Sequence, residues 1–242
     1  MFHRWATSRA AACLENILPV HFTGTVPCDG YAAYPAFAHG RETIQLAGCW
    51  AHVRRKFHDA FEQTPRPAAW LLRQIQHLYQ IKARLRQQRA GPQLRAAGRA
   101  HQSRPVVARL QKALVRLKAG GRHLPQSLLG QALDYALGQW STLEVYVRDG
   151  RVEIDNNLVE NAIRPTALGK KNWLFIGAAE AGQRSAILYT IVESCPRRAL
   201  DPYAYLRDVL TRRPKMTNRQ TAQVTPEAWA KAQRQPLLQK AS

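Results

Sequence analysis

Acidic residues are scarce in this chain. Asp and Glu together number 16 against 36 Lys and Arg, a formal net charge of +20 at pH 7. None falls between Gln63 and Leu133. Cysteine is also sparse. Cys13, Cys28, Cys49 and Cys195 are widely spaced and form no CxxC pair, which argues against a disulfide-stapled secreted scaffold and for a reducing cytoplasm. Long apolar runs are missing, and none approaches the roughly 20 residues a membrane helix needs. The first twenty residues carry Arg4, Arg9 and an Ala-rich run, as an export signal does. Glu15 and Asn16 interrupt that run and no clean cleavage site follows, so export is rejected. There are no internal repeats. The hydrophobic share is 45 %, ordinary for a globular protein and too high for a disordered one.

What is abundant is arginine. It outnumbers lysine 27 to 9, and the sequence pI is near 10.7. A strongly basic chain favours polyanions, because Lys and Arg release condensed counterions from phosphate backbones. Guanidinium forks suit phosphate oxygens better than solubility alone requires. The charge is concentrated. Between Arg54 and Arg122 there are 17 Lys or Arg and only two acids, Asp59 and Glu62. The basic block lies inside the chain and is not a tail.

Residue patterning gives a coarse map. Phe2 to Trp5 reads as the end of a strand and Ala10 to Leu18 as a short helix. Val20 to Cys28 and Thr43 to Cys49 read as strands. Tyr31 to Phe37 forms a short helix or turn. Trp50 to Phe61 is helical, with Val53, Phe57 and Phe61 at four-residue steps. Leu71, Ile75, Leu78 and Leu85 mark a first middle helix. Residues 90–104 read as a loose connection. Pro105 opens a second helix that Gly120-Gly121 stops. Pro125 opens a third, with Leu129, Leu133, Ala136, Trp140, Leu143 and Val147 inward. The three are expected to pack on one another as plain core.

After the Asp149-Gly150 turn, Asp155 is a helix N-cap and Pro165 ends the helix. Asn156, Asn157, Glu160, Asn161 and Arg164 share one face of it, and Leu158, Val159, Ala162 and Ile163 the other. Amides around a single carboxylate look like a site. Lys170 to Trp173 read as a loop, with Trp173 in the core. Residues 183–195 form an apolar helix, Asp201-Pro202 starts another through about Thr211, and residues 214–242 form a polar, loosely ordered tail.

The strings CDGYAAY (28–34), CWAHVRRKFHDAF (49–61), IDNNLVENAIRP (154–165), LGKKNWLFIG (168–177) and LDPYAYLRDVL (200–210) resemble transposases of the insertion sequence 66 family. Thr225-Pro226 and Trp229 are similar to that family's C-terminal end. The resemblance implies an α/β, helix-rich fold: a truncated ribonuclease H-like core with a large all-α insertion. It divides the chain into 1–62 (core with the second Asp), 63–150 (basic helical insertion), 151–213 (core with the Glu helix) and the tail.

By the same resemblance, Asp29 and Glu160 are the second Asp and the Glu of an Asp-Asp-Glu triad that cuts and joins DNA at element ends. They would ligate Mg²⁺ or Mn²⁺, since hard cations take carboxylate oxygens and a metal pair can clamp a phosphodiester. Arg54, Arg55, Lys56, Arg164, Lys170 and Lys171 are candidate DNA contacts. Asn157 and Asn161 are candidate supports for Glu160. Cys49 and His52 form C-x-x-H on one helical face and are read as supporting residues; zinc would need two further close ligands. The family's first Asp has no match among residues 1–28, which hold the single acid Glu15. The expectation is an N-terminally truncated copy that is inert alone. The alternative is a non-catalytic DNA-binding, assembly or inhibitor protein. Partners are DNA, other copies or full-length transposase, and helper proteins, with no membrane. The setting is the bacterial cytoplasm, at the nucleoid.

Overall fold

The computed structural model describes residues 2–239, apart from the side chains of Trp173 and of residues 234–239. The chain divides into two compact units, residues 9–161 and residues 1–8 with 162–242.

In the first unit, α1 (Ala12–Glu15) precedes β1 (Gly24–Cys28), α2 (Ala33–Ala38) and β2 (Ile44–Gly48). The strands pair in parallel, from Gly24 with Ile44 to Cys28 with Gly48. A parallel pair needs a crossover, which α2 provides. Among the described residues this pair is the whole sheet. Gly48 is demanded by contact. A Cβ there would lie 2.6 Å from Thr142 Oγ1.

The helices form one apolar core. α3 (Trp50–Asp59) contributes Trp50, Val53 and Phe57, and α4 (Pro65–Gln87) contributes Leu71, Ile75 and Leu78. After α5 (Pro92–Gly98) and a π-helical turn (Arg99–Ser103), α6 (Arg104–Ala119) adds Val106, Leu110 and Leu114. α7 (Leu128–Gly138) adds Leu129, Leu133 and Ala136; α8 (Trp140–Leu143) and α9 (Val145–Arg148) add Leu143 and Tyr146. Each full burial of such a side chain is worth about 1.5–3 kcal/mol. Trp50 and Trp140 meet edge to face at 5.8 Å, and the Trp50 indole donates to the Leu143 carbonyl at 3.2 Å. The core thus joins the 50–59 helix to the basic block.

Several local expectations are corrected. Residues 90–104 are largely helical and not a loose connection. Pro92 fits a first helical position, Ala and Arg are good helix formers, and Arg99 and Ser103 are buried. The third middle helix is broken at Gln139 and Glu144 into α7, α8 and α9, and Ser127, not Pro125, caps its start by accepting from Gly130 N at 3.1 Å. These breaks let α8 and α9 lie on β2. Pro165 does not end its helix. α10 (Asn157–Trp173) runs through it, carried on by the helix formers Ala167, Leu168, Lys170 and Lys171, so residues 170–173 are its last turn and not a loop. The expected core position of Trp173 lies outside the described residues.

In the second unit, Phe2 to Trp5 are not a strand. His3 N instead donates to Thr190 Oγ1 at 2.9 Å on α11 (Ala179–Ser194). α12 (Pro202–Arg212) starts as its sequence indicates, with Asp201 accepting from Tyr203 N and Ala204 N. The segment after Pro214 is helical, not a loose tail: a 3₁₀ stretch (Asn218–Val224) leads to α13 (Pro226–Gln239). Tyr205 holds it, donating to the Val224 carbonyl at 2.6 Å and meeting Trp229 edge to face. No described helix is long and apolar enough to cross a membrane.

Candidate active site

The site begins at the carboxyl ends of the parallel strands, where open α/β sheets gather ligands. Cys28 pairs with Gly48, so Asp29 and Cys49 are the next residues along two strands spaced about 4.8 Å apart. Asp29 closes an Asx turn, its Oδ1 accepting from Tyr31 N at 3.1 Å over Gly30 at φ +84°. Its carbonyl accepts from the Tyr135 hydroxyl at 2.6 Å. Lys56 Nζ sits 4.9 Å from the Tyr135 ring centre. Burial, and then the neighbouring Cys49, Asp29 and Cys28, push the Tyr135 phenol upward.

Cys49 leads into α3. Its buried thiol donates to Asn156 Oδ1 at 2.9 Å. Burial raises this thiol, its hydrogen bonds pull it partly back, and the Glu160 carboxylate adds to the rise. Burial likewise raises Cys28, with Asp29 among the contributors. The carboxylates at 29 and 160 therefore act on adjoining thiols. One turn into α3, His52 Nε2 lies 3.4 Å from Glu160 Oε1; the side chains are 23 % and 39 % exposed. His52 Nδ1 is buried with no partner among the described residues. Trp50 N donates to the Ile154 carbonyl at 3.0 Å. Three contacts thus bind the first turn of α3 to the segment that opens α10.

One buried and two half-buried cations fix that segment. Arg99, 2 % exposed, donates through one guanidinium nitrogen to the carbonyls of Tyr146, Asp149 and Val152 at 2.7–3.0 Å. Its guanidinium lies 4.2 Å from the Tyr146 ring centre. Lys82 of α4 pairs with Asp155 at 3.1 Å and Glu153 at 3.4 Å, and Arg95 also reaches Glu153 at 3.4 Å. Asp155, whose side chain is 4 % exposed, also accepts from Asn157 N at 3.2 Å.

The sequence profile of the transposase IS66 family matches residues 1–184. The chain belongs to the IS66 family of transposases. It is 36 % identical over 214 residues to uncharacterised protein y4jD of Sinorhizobium fredii, covering 86 % of this chain and 41 % of the relative. It is 36 % identical over 217 residues to y4qI of the same organism (87 % and 39 %) and 28 % identical over 197 residues to y4hP (76 % and 35 %). The chain spans about two fifths of the length of these curated relatives. No solved structure matches it.

Set against this IS66 membership, the candidate residues fall into four groups. Cys49, His52 and Glu160 gather at the starts of α3 and α10, and Asp29 follows the neighbouring strand end. Arg54 and Arg55 line a separate hollow of about 490 Å³ with His58 and Asn157. Lys56 turns instead to Tyr135. Arg164, Lys170 and Lys171 are exposed further along α10, within the other unit, and Asn161 is exposed. Cys49 and His52 do not converge as a zinc pair, since one faces Asn156 and the other Glu160.

The donor chemistry suits a hard divalent cation. Two carboxylates are available, and the nearby thiol is held protonated by burial. Among the described residues they do not belong to a group of three or more His, Cys, Asp or Glu able to hold a metal. Asp29 lines its own hollow of about 180 Å³ with Arg9 and Tyr31. Sequence reasoning missed Lys82, Arg95, Arg99, Tyr135 and Glu153. The available signal was Glu153 and Asp155 themselves, acids following a long acid-free basic block.

Proposed function

We propose that this IS66 transposase chain contributes two carboxylates, Asp29 and Glu160, to the metal-dependent cutting and joining of DNA at insertion-element ends, within a ribonuclease H-like core. The observation that carries this reading is the juxtaposition at the strand ends. Asp29 follows β1, Cys49 follows β2, and the helix behind Cys49 sets His52 against Glu160. Asp29 and Glu160 would hold Mg²⁺ or Mn²⁺, which supplies activation of a water or 3′-hydroxyl and stabilisation of the leaving oxygen. His52 and Asn156 orient the opening turn of α10. Tyr135 fixes the backbone at Asp29. Residues 63–150, as a basic insertion, hold DNA in the bacterial cytoplasm. With two carboxylates and, among the described residues, no metal-holding group of three around them, the chain alone binds DNA without cutting it.

The test is a gel assay of the purified chain with element-end DNA and Mg²⁺ or Mn²⁺. The expected result is retention that weakens steeply with salt and leaves both strands intact. No retention at low salt overturns the DNA-directed reading. Nicking that Glu160→Gln abolishes overturns the claim that the chain is inert alone.

A second reading is a non-catalytic assembly or inhibitor protein that docks on a full-length transposase. A hollow of about 380 Å³ favours it; Pro27, Val152, Leu158 and Val159 form its apolar part, and Asp149, Arg151, Glu153, Asp155 and Asn156 its polar part. The hollow lies along β1, whose one strand partner among the described residues is β2. Unpaired edges are templates for another chain. Co-purification with a full-length copy, lost in Val159→Glu, supports this reading; co-purification unaffected by that change removes it.

A further inference from the structure

The hollow beside Arg54 and Arg55 does not end there. A second hollow, of about 650 Å³, runs along α4 and shares Gln76, Tyr79 and Asn157 with the first. The two are one continuous trough. Gln76, Gln80, Ala83 and Gln87 recur at three- and four-residue steps, so they form one face of α4, opposite the buried Leu71, Ile75, Leu78 stripe. From Gln76 to Gln87 the face extends about 16 Å at 1.5 Å per residue. Arg54, Arg55 and His58 stand at one end and Arg86 at the other. The acid in its wall is Asp155, and Lys82 neutralises it at 3.1 Å. Asn157, where the two hollows meet, is three residues from Glu160 on α10.

We propose that this trough is the track for one DNA strand, leading its backbone to the turn that carries Glu160. The chemistry selects the ligand. Guanidinium groups at both ends take phosphate oxygens, and the amides between them donate to phosphate and sugar oxygens. Asp155 is the acid among the lining residues and Lys82 pairs with it, so little there opposes a phosphate backbone. The length accommodates several phosphates of one strand, which follow at about 3.4 Å along a duplex axis. Arg86 and Gln80 are then DNA-binding residues that sequence reading did not single out. The inference rests on the DNA-directed reading above, but not on its metal.

The test is fluorescence anisotropy of a labelled element-end oligonucleotide in EDTA over a salt series, using the full chain. Arg86→Ala and Arg55→Ala are compared with Arg109→Ala, which removes an exposed charge on α6 outside the trough. Each trough variant is expected to weaken binding several-fold at low salt and to reduce the salt slope by about 1, one phosphate contact fewer. Arg109→Ala should leave the slope unchanged. A neutral-backbone methylphosphonate probe should bind no better to wild type than to the trough variants. Equal effects of Arg86→Ala and Arg109→Ala overturn the proposal. Circular dichroism melts confirm that the variants are folded. Because EDTA removes the cation, failure here leaves the carboxylate reading standing, and failure of the metal assay leaves the trough standing.

Discussion

His52 and Glu160 meet across the first turns of two helices, with Nε2 3.4 Å from Oε1. Both side chains are partly exposed, so the pair contributes little to global stability. Its effect is local: it orients the carboxylate. His52→Ala should speed amide hydrogen exchange in the peptide covering residues 154–162 while moving the melting temperature by no more than a degree or two. His52→Gln, which keeps a donor near the Nε2 position, should restore most of the protection. Unchanged exchange in His52→Ala would show that Glu160 is held by other contacts.

Arg99 carries the largest single stability prediction. Its guanidinium supplies three carbonyls, two of them buried and one partly so, at 2.7–3.0 Å. Arg99→Met leaves those acceptors unpaired, at about 1–3 kcal/mol each before relaxation. The expected loss is about 3 kcal/mol or more in urea unfolding, with a fall in midpoint and little change in slope. A loss below about 1 kcal/mol would mean that water replaces the guanidinium.

Gly48 is a packing constraint that can be tested by compensation. Gly48→Ala should cost about 1–3 kcal/mol, because its Cβ meets Thr142 Oγ1 at 2.6 Å. Adding Thr142→Ala should recover part of that cost. The coupling is read from a double-mutant cycle of unfolding free energies. Strict additivity would place the strain elsewhere.

The core stripes of α3, α4, α6 and α7 were legible in the sequence because apolar residues at three- and four-residue steps have one way to bury. The two strands were legible from apolar and β-branched residues ahead of Asp29-Gly30 and Cys49, but their parallel pairing was not. The site was partly legible. Glu160 stood out as a carboxylate among amides, and C-x-x-H put Cys49 and His52 on one helical face. The supports were not legible. Lys82 and Arg99 look like solvated cations in a basic block, and only the fold brings Glu153, Asp155 and three carbonyls to them. Pro165 misled because a local rule about helix ends yields to the helix formers that follow it. The final helices were missed because Tyr205, Val224 and Trp229 become a core only after the chain turns back.

Stability should fall at high pH. Burial raises the phenols of Tyr79, Tyr135, Tyr146 and Tyr205 above the ordinary value of 10.0. The unfolded chain therefore loses these protons near pH 10 while the folded chain keeps them. The unfolded state then binds fewer protons, and the unfolding free energy declines as pH rises past about 10. Urea midpoints at pH 8, 9, 10 and 11 should be flat and then drop. Tyr135→Phe should soften the drop. Midpoints that stay level through pH 11 would contradict this.

The central claim, that Asp29 and Glu160 share one divalent cation, is tested most directly by letting iron take the place of magnesium. Ferrous ion with ascorbate and peroxide cuts a polypeptide beside the residues that hold it. The account predicts cuts near residue 29 and near residue 160 together, both suppressed by excess Mg²⁺ and both lost in Asp29→Asn and in Glu160→Gln. Cuts at one position alone, or cuts that survive either substitution, would contradict it.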